Sequence, residues 1–156
     1  MIALLLLAAT LHKVLDHDIT FAGATIPART TVFYAADGKI EKMFLFRDTM
    51  IEGHLCRGGA DAWETAFHPN GRLRVCWLAK DETIDRIPCR RATFWADVTG
   101  GRVGVQLHED GHLARCEAAR AFTLGTCRGR KGDGVVVDAA GRVTVGGGVC
   151  SPNRHE

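Results

Sequence analysis

Serine is all but missing from this chain of 156 residues, where Ser151 is the only one. No serine stands in a nucleophile-elbow pattern, so serine hydrolase chemistry is close to excluded by composition. An excess of one charge is missing too. Twenty Lys and Arg against eighteen Asp and Glu leave a formal charge of +2, too balanced to argue for a nucleic-acid or anionic-membrane partner. No apolar run is long enough to span a bilayer as a helix. There is no Cys-x-x-Cys and no Cys/His cluster at zinc-finger spacing, so no structural zinc site and no cofactor is expected. Nor does any segment of helical length carry an apolar stripe with caps. The alanines between His112 and Phe122 are the nearest approach to one.

What is present begins with the apolar run Ile2 to Ala9. It has the length of a signal-peptide core, although no Lys or Arg precedes it, and a first buried strand or helix is the alternative. Residues 1–9 are read as a signal peptide or apolar leader, and 10–156 as one domain. With 46% hydrophobic and 24% charged residues, that domain has the composition of something that buries a core. An even count of six cysteines in a small exported chain reads as disulfides, which places the protein in the periplasm or outside the cell.

A repeat organises the rest. Gly38, Gly71, Gly111 and Gly141 are each followed two residues later by an aliphatic (Ile40, Leu73, Leu113, Val143), and preceded by Asp37, Asn70, Asp110 and Ala140. Asp-Gly or Asn-Gly between alternating apolar residues signals a tight hairpin whose two central positions both need positive φ. Leu45, Asp48, Ile51, Cys56 and Arg57 recur at one offset as Leu78, Asp81, Ile84, Cys89 and Arg90. The array reads as a half unit (18–28), units starting at 34, 67 and 107, and a terminal hairpin (135–150). Its fold class is all-β: an antiparallel meander of repeated hairpins, each burying its apolar face by stacking on its neighbours, as an open sheet or a barrel-like closure.

These hairpins, with asparagine or aspartate before the turn glycine, resemble the MORN-type repeats and the looser MORN-like variants of bacterial proteins, over 18–145. The resemblance implies a binding or scaffolding surface and no catalytic residue.

Relative to the turn glycine, Cys76 and Cys116 occupy an early place, and Cys56, Cys89 and Cys127 a late one; Cys150 follows the last turn. Unit one has Met43 at its early place, and the half unit, aligned with a short insertion, has Ala28 at its late place. The two absences coincide. Bonding between units explains that and gives Cys56 with Cys76, Cys89 with Cys116, and Cys127 with Cys150. The rival scheme pairs Cys76 with Cys89 and Cys116 with Cys127, leaving Cys56 to Cys150; spacing alone does not choose.

Candidate chemistry is sparse. His108 and His112 have the spacing of two ligands on one helix face, but in a hairpin turn that spacing loses its meaning. His68 and His108 hold equivalent places, and with Trp63, Trp77 and Trp95 they form the candidate ligand surface for a protein or glycan of the cell envelope. Burial between units is the competing account of the tryptophans. Asp48 and Asp81 stand at polar turns, which explains them without catalysis. The alternative to a binding or structural module is a hydrolase of cell-wall or glycan polymers, using His68, His108 and an acid such as Asp81 or Glu109.

Overall fold

The computed structural model describes residues 11–59, 61–93 and 104–151. The expected leader and Trp95 lie outside them. Among the described residues every regular element is a β-strand, and two strands of one large sheet, called long below, alternate with two three-residue strands of a separate, short hairpin. The array opens with β1 (Leu11–Val14), β2 (Ile19–Phe21) and β3 (Ala24–Ile26). Next come β4 (Thr31–Tyr34), β5 (Ile40–Phe44), β6 (Thr49–Ile51) and β7 (His54–Cys56). The following unit is β8 (Glu64–Phe67), β9 (Leu73–Cys76), β10 (Glu82–Ile84) and β11 (Ile87–Cys89). It is succeeded by β12 (Val105–Leu107), β13 (Leu113–Glu117), β14 (Phe122–Leu124) and β15 (Cys127–Gly129). The array closes with β16 (Gly134–Val137), β17 (Val143–Val145) and β18 (Gly148–Cys150).

The long strands form one antiparallel ten-stranded sheet in the order β1-β4-β5-β8-β9-β12-β13-β16-β17-β18. The short ones form four separate hairpins, β2–β3, β6–β7, β10–β11 and β14–β15. A single core cluster joins the two layers: Val32, Met43 and Leu73 of the sheet belong to it together with Ile26, Ile51 and Ile87 of the hairpins. Alternation on the sheet puts it there, because successive side chains of a strand point to opposite faces. Val32, Met43 and Thr65 are in register and buried, while their neighbours Phe33 and Lys42 are only half-buried. The alanine-rich segment His112 to Phe122 holds β13 and the first residue of β14, as the repeat required; in β13, Leu113 and Cys116 are buried while Arg115 is exposed.

The residues expected to start units, Tyr34, Phe67 and Leu107, are each the last residue of a strand and follow a register shift in the ladder. They hold one equivalent place in successive units, and the strands that they end begin upstream, at the first residues of β4, β8 and β12.

The turns are a further correction. Each long hairpin closes through a five-residue loop: Ala35, His68, His108 and Asp138 donate their N–H to the carbonyl of Lys39, Arg72, His112 and Arg142. Only the glycine has positive φ, at 80°, 82°, 89° and 78° in Gly38, Gly71, Gly111 and Gly141. This is a turn followed by a left-handed glycine, not the two-residue turn expected. Asp37, Asn70 and Asp110 act through their side chains, accepting from the N–H two residues on at 3.0, 2.9 and 3.0 Å. Turns with two positive φ values stand in three of the short hairpins, at Ala22-Gly23, Glu52-Gly53 and Asp85-Arg86, and at Gly146-Gly147 between β17 and β18.

Three disulfides tie the units together: Cys56–Cys76, Cys89–Cys116 and Cys127–Cys150. These are the cross-unit pairs. The first two join the last residue of a short hairpin to the last or fourth residue of the next unit's second long strand. Two details differ from the sequence alignment. Asp18, Asp48 and Asp81 accept from the N–H of Ala28, Gly58 and Arg91 at 2.8, 2.9 and 2.8 Å, so the three short hairpins align without insertion. The place of Cys56 and Cys89 is then held by Ile26, not Ala28; the ladders pair Ile19 with Ile26, Thr49 with Cys56 and Glu82 with Cys89. Secondly, Cys127 opens its strand opposite Leu124, and the place matching Cys89 is Gly129, opposite Phe122. A Cβ at Gly129 would stand 2.0 Å from the Phe122 ring. That site has no room for a cysteine, and the third disulfide runs instead to the edge strand β18.

Candidate functional site

Along one edge of the molecule the turns of the long hairpins stack in sequence order, and each carries a cation directly after its glycine: Lys39, Arg72, His112 and Arg142. The first three reach neighbouring units. Lys39 Nζ lies 3.5 Å from the Pro69 carbonyl of the next turn. Arg72 Nε donates to Glu52 at 3.1 Å, at the tip of the preceding unit's short hairpin. His112 Nδ1–H donates to Asp85 at 3.2 Å, at the equivalent tip one unit later. Arg142 has no such partner to reach, because the corresponding tip residue is Gly125, and it pairs at 2.6 Å with Asp138 of its own turn.

The histidines extend the same stacking. His68 Nε2–H donates to the carbonyl of Leu107 at 2.9 Å, and His108 Nε2–H to that of Val137 at 2.8 Å. Each satisfies a carbonyl at the entrance to the next turn. They are positioned as joints between units, and each spends a ring nitrogen on that task.

Two hollows lie on this edge. One of about 290 Å³, between the first and second turns, includes His68, Asp37 and Arg74 in its lining. The other, of about 540 Å³, lies between the tip of β10–β11 and the third and fourth turns. Ile87, Leu113, Leu124, Val137 and Val143 give the larger groove an apolar floor. Its rim carries the carboxylates of Asp85, Asp110 and Asp138 against the guanidinium of Arg86 and the imidazoles of His108 and His112.

Ionisation follows these contacts. The hydrogen bond to Asp85, then the charge of that carboxylate and of Asp110, hold the His112 imidazolium above its ordinary pKa of 6.5. The His112 backbone N–H keeps Asp110 below the usual carboxylate value. The Arg142 backbone N–H, followed by its guanidinium, does the same for Asp138.

The groups nominated from sequence do not assemble. His68 and His108 line different hollows, and neither Asp81 nor Glu109 lines either one. Asp81 closes its hairpin at Arg91, as turn chemistry required. Trp63 is buried, and Trp77, half-buried, packs against it with ring centroids 5.4 Å apart. Arg57 lies 5.0 Å over the Trp63 ring and donates to the Ala92 carbonyl at 2.7 Å. The two rings flank β8 and β9 and pack on each other, away from the residues that line the two hollows described above. Among the described residues no group of three or more His, Cys, Asp or Glu is placed to hold a metal ion.

Asp85 and Asp138 were not singled out from sequence. A signal for Asp85 existed: it stands opposite Glu52 at the same offset that relates Cys56 to Cys89. The run of cations one residue after each turn glycine was a second signal. Read together they would have paired the tips with the turns.

Fold and edge together define a disulfide-linked, all-β hairpin-repeat protein. No family model, no curated protein and no solved structure matches this chain. No helix among the described residues is long and apolar enough to cross a membrane.

Proposed function

We propose that this protein is an exported, disulfide-stapled β-repeat module that binds a protein or glycan of the cell envelope, or supports such an assembly, in the periplasm or outside the cell. The observation that carries the reading is that all six cysteines are paired and that every pair crosses from one unit to the next. Such bonds persist in oxidising compartments and are rare in the cytoplasm. The array is thin, with short strands and no helical layer among the described residues, so cross-links stabilise what core area alone would leave marginal. MORN-like repeats, which the hairpins resemble, serve as binding or scaffolding surfaces, and that supports the module half of the reading. A hydrolase built on His68, His108, Asp81 or Glu109 has less support, since those side chains share no cavity and both imidazoles are engaged by carbonyls.

Non-reducing peptide mapping by mass spectrometry, on protein recovered from its native host, tests the proposal. Three cross-unit disulfides and a mature start near residue 10 are expected. Six free thiols with Met1 retained would overturn export.

A further inference from the structure

Opposite the turns, where the chain passes from the sheet into each short hairpin and back, the two halves of the array differ in charge. In the first half this edge is made of 14–18, 25–30, 45–48 and 55–59, with three Lys and Arg against three Asp and Glu. Two of those cations have structural work: Arg29 lies 4.1 Å over the Phe46 ring and Arg57 lies over Trp63. In the second half the edge is made of 78–81, 88–92, 117–121 and 128–133, where seven Lys and Arg stand against three Asp and Glu. Backbone hydrogen bonds hold these segments side by side, from the N–H of Ala92 to Leu78 at 2.9 Å, of Ala119 to Pro88 at 2.8 Å and of Gly132 to Ala118 at 2.9 Å. Two basic runs, Arg90-Arg91 and Arg128 to Lys131, are thereby joined with Lys80 and Arg120 in one surface. Its three carboxylates are already engaged: Asp81 accepts from the Arg91 N–H, Asp133 from the Arg130 N–H, and Glu117 pairs with Arg90 at 2.7 Å. Ala121 stands where the other hairpins have Asp18, Asp48 and Asp81, so a fourth carboxylate is missing. Among the described residues Lys80, Arg91, Arg120, Arg128 and Lys131 are exposed, and no side chain partners them.

From this excess we infer that the second half of the edge binds a linear polyuronate, a polysaccharide with a carboxylate on every ring. Lys80 with Arg91, and Arg120 with Lys131, put two exposed cations at the base of each of two successive hairpins. One unit adds two strands to the sheet, a step of about 10 Å. Two rings of such a polysaccharide cover a similar length and bring two carboxylates. Guanidinium and ammonium groups without a partner of their own meet these in charge-assisted hydrogen bonds. The same segments hold no aromatic residue on which the bases of a single strand could stack. Duplex nucleic acid, with one charge per about 1.7 Å of axis, is far denser in charge than this row. Leu78 and Pro88 are buried, so no exposed large apolar side chain is there to enter a lipid surface.

The inference rests on the binding-module reading and names its ligand class, but it is tested apart from compartment, using the purified, oxidised full chain labelled with ¹⁵N. Hexagalacturonate and the neutral maltohexaose serve as probes at low salt. Saturable shifts of the amides of Lys80, Arg91, Arg120 and Lys131 are expected with the uronate and none with maltohexaose, and they should vanish at about 1 M salt, where exposed charges are screened. Ala121→Asp restores the carboxylate of the other three hairpins, so the fold is retained while the excess charge falls; it should weaken the uronate several-fold. Lys80→Gln with Arg120→Gln should weaken it about tenfold, the scale of two exposed charge contacts. Arg47→Gln, at the same place in the balanced half, should leave the affinity unchanged. Equal binding of maltohexaose, shifts confined to another surface, or an equal loss in Arg47→Gln would each overturn the assignment. So would tighter binding of hexathymidylate or of phosphatidylglycerol vesicles than of the uronate, and the comparison of probes needs no variant to fold. Uronate shifts on another surface would leave the module reading standing, whereas free thiols in native protein would count against export and leave these outcomes untouched.

Discussion

The first junction between units and the two that follow it solve one packing problem with different chemistry. At the later two, a cysteine ending a short hairpin is bonded to a cysteine in the next long strand, with Cα atoms 5.3 and 5.6 Å apart. At the first, the same two places hold Ile26 and Met43, both fully buried in the shared core. The apolar pair contributes through burial in the folded state, whereas the disulfide acts largely by restricting the unfolded chain. An identical backbone arrangement therefore tolerates either, and the cysteines are a local option of the repeat and not a condition of its geometry.

The largest effect should come from removing either kind of joint. Cys89→Ala with Cys116→Ala opens a link spanning 27 residues and is expected to cost roughly 3 kcal/mol in the chain-entropy model. Ile26→Ala should cost about 2–5 kcal/mol through lost burial and a cavity. Urea unfolding of both variants would show whether the two joints are comparable; a loss under about 1 kcal/mol at either would break the equivalence. The converse change sharpens it. Ile26→Cys with Met43→Cys should yield a fourth disulfide without added oxidant catalyst, because the two places are those that hold Cys56–Cys76 one unit on. Thiol titration of the folded protein should find no free sulfhydryl. Stability should stay within about 2 kcal/mol of the parent, since the cross-link offsets the lost Ile and Met side chains.

Much of this was legible in sequence because the repeat imposes the same few requirements at fixed offsets. The strands, their antiparallel order and the cross-unit bonding followed from turn glycines, alternation and the coincident absence of cysteine from two places. The alignment erred at the half unit: matching Ile-Pro to Ile-Pro forced an insertion and put Ala28 where Ile26 belongs, although Asp18 at the start of the segment was the better anchor. Turn type was misjudged for a different reason. An Asp-Gly pair serves both a two-residue turn and a longer loop with a left-handed glycine, and the five residues between Tyr34 and Ile40 already indicated the longer one. The two-residue turn at Asp85-Arg86 carried no such signal, since neither residue is glycine although their φ values are 48° and 70°. Asp85 bonds to His112 and to the Leu113 N–H at 2.6 Å. Those tertiary bonds, some 27 residues away in sequence, hold a conformation that local preference disfavours.

The aspartates that close the short hairpins extend the comparison to a smaller scale. Asp18, Asp48 and Asp81 each hold the N–H ten residues on, while the fourth hairpin has Ala121 in that position. Asp81→Ala should therefore cost about 1 kcal/mol, the worth of one hydrogen bond to a charged acceptor near the surface. Faster amide exchange at Arg91 should accompany the loss. The hairpin itself should persist, since its fourth counterpart forms without the carboxylate. Disappearance of the β10–β11 cross-strand signals would show the aspartate to be essential in a way Ala121 contradicts.

The smallest effect concerns the two tip-to-turn pairs, which differ in whether the cation can be discharged. Glu52–Arg72 joins a carboxylate to a guanidinium, whereas Asp85–His112 depends on a histidine whose pKa is raised above 6.5 by the Asp85 hydrogen bond. A group whose pKa is higher in the folded state stabilises fully below its unfolded value, and that contribution is lost as pH rises through the folded one. The third junction should thus loosen slightly between pH 6 and 8 while the second does not. Amide exchange at Leu113 and Gly111, compared with Leu73 and Gly71 across that range, reads the difference at each turn. The side chains are exposed, so the change in Tm should be slight and should shrink with added salt. His112→Arg should remove the pH dependence and make the third junction behave like the second. An equal pH response at both turns would mean that the joint is held by the Asp85 to Leu113 N–H bond alone, with the imidazolium contributing nothing.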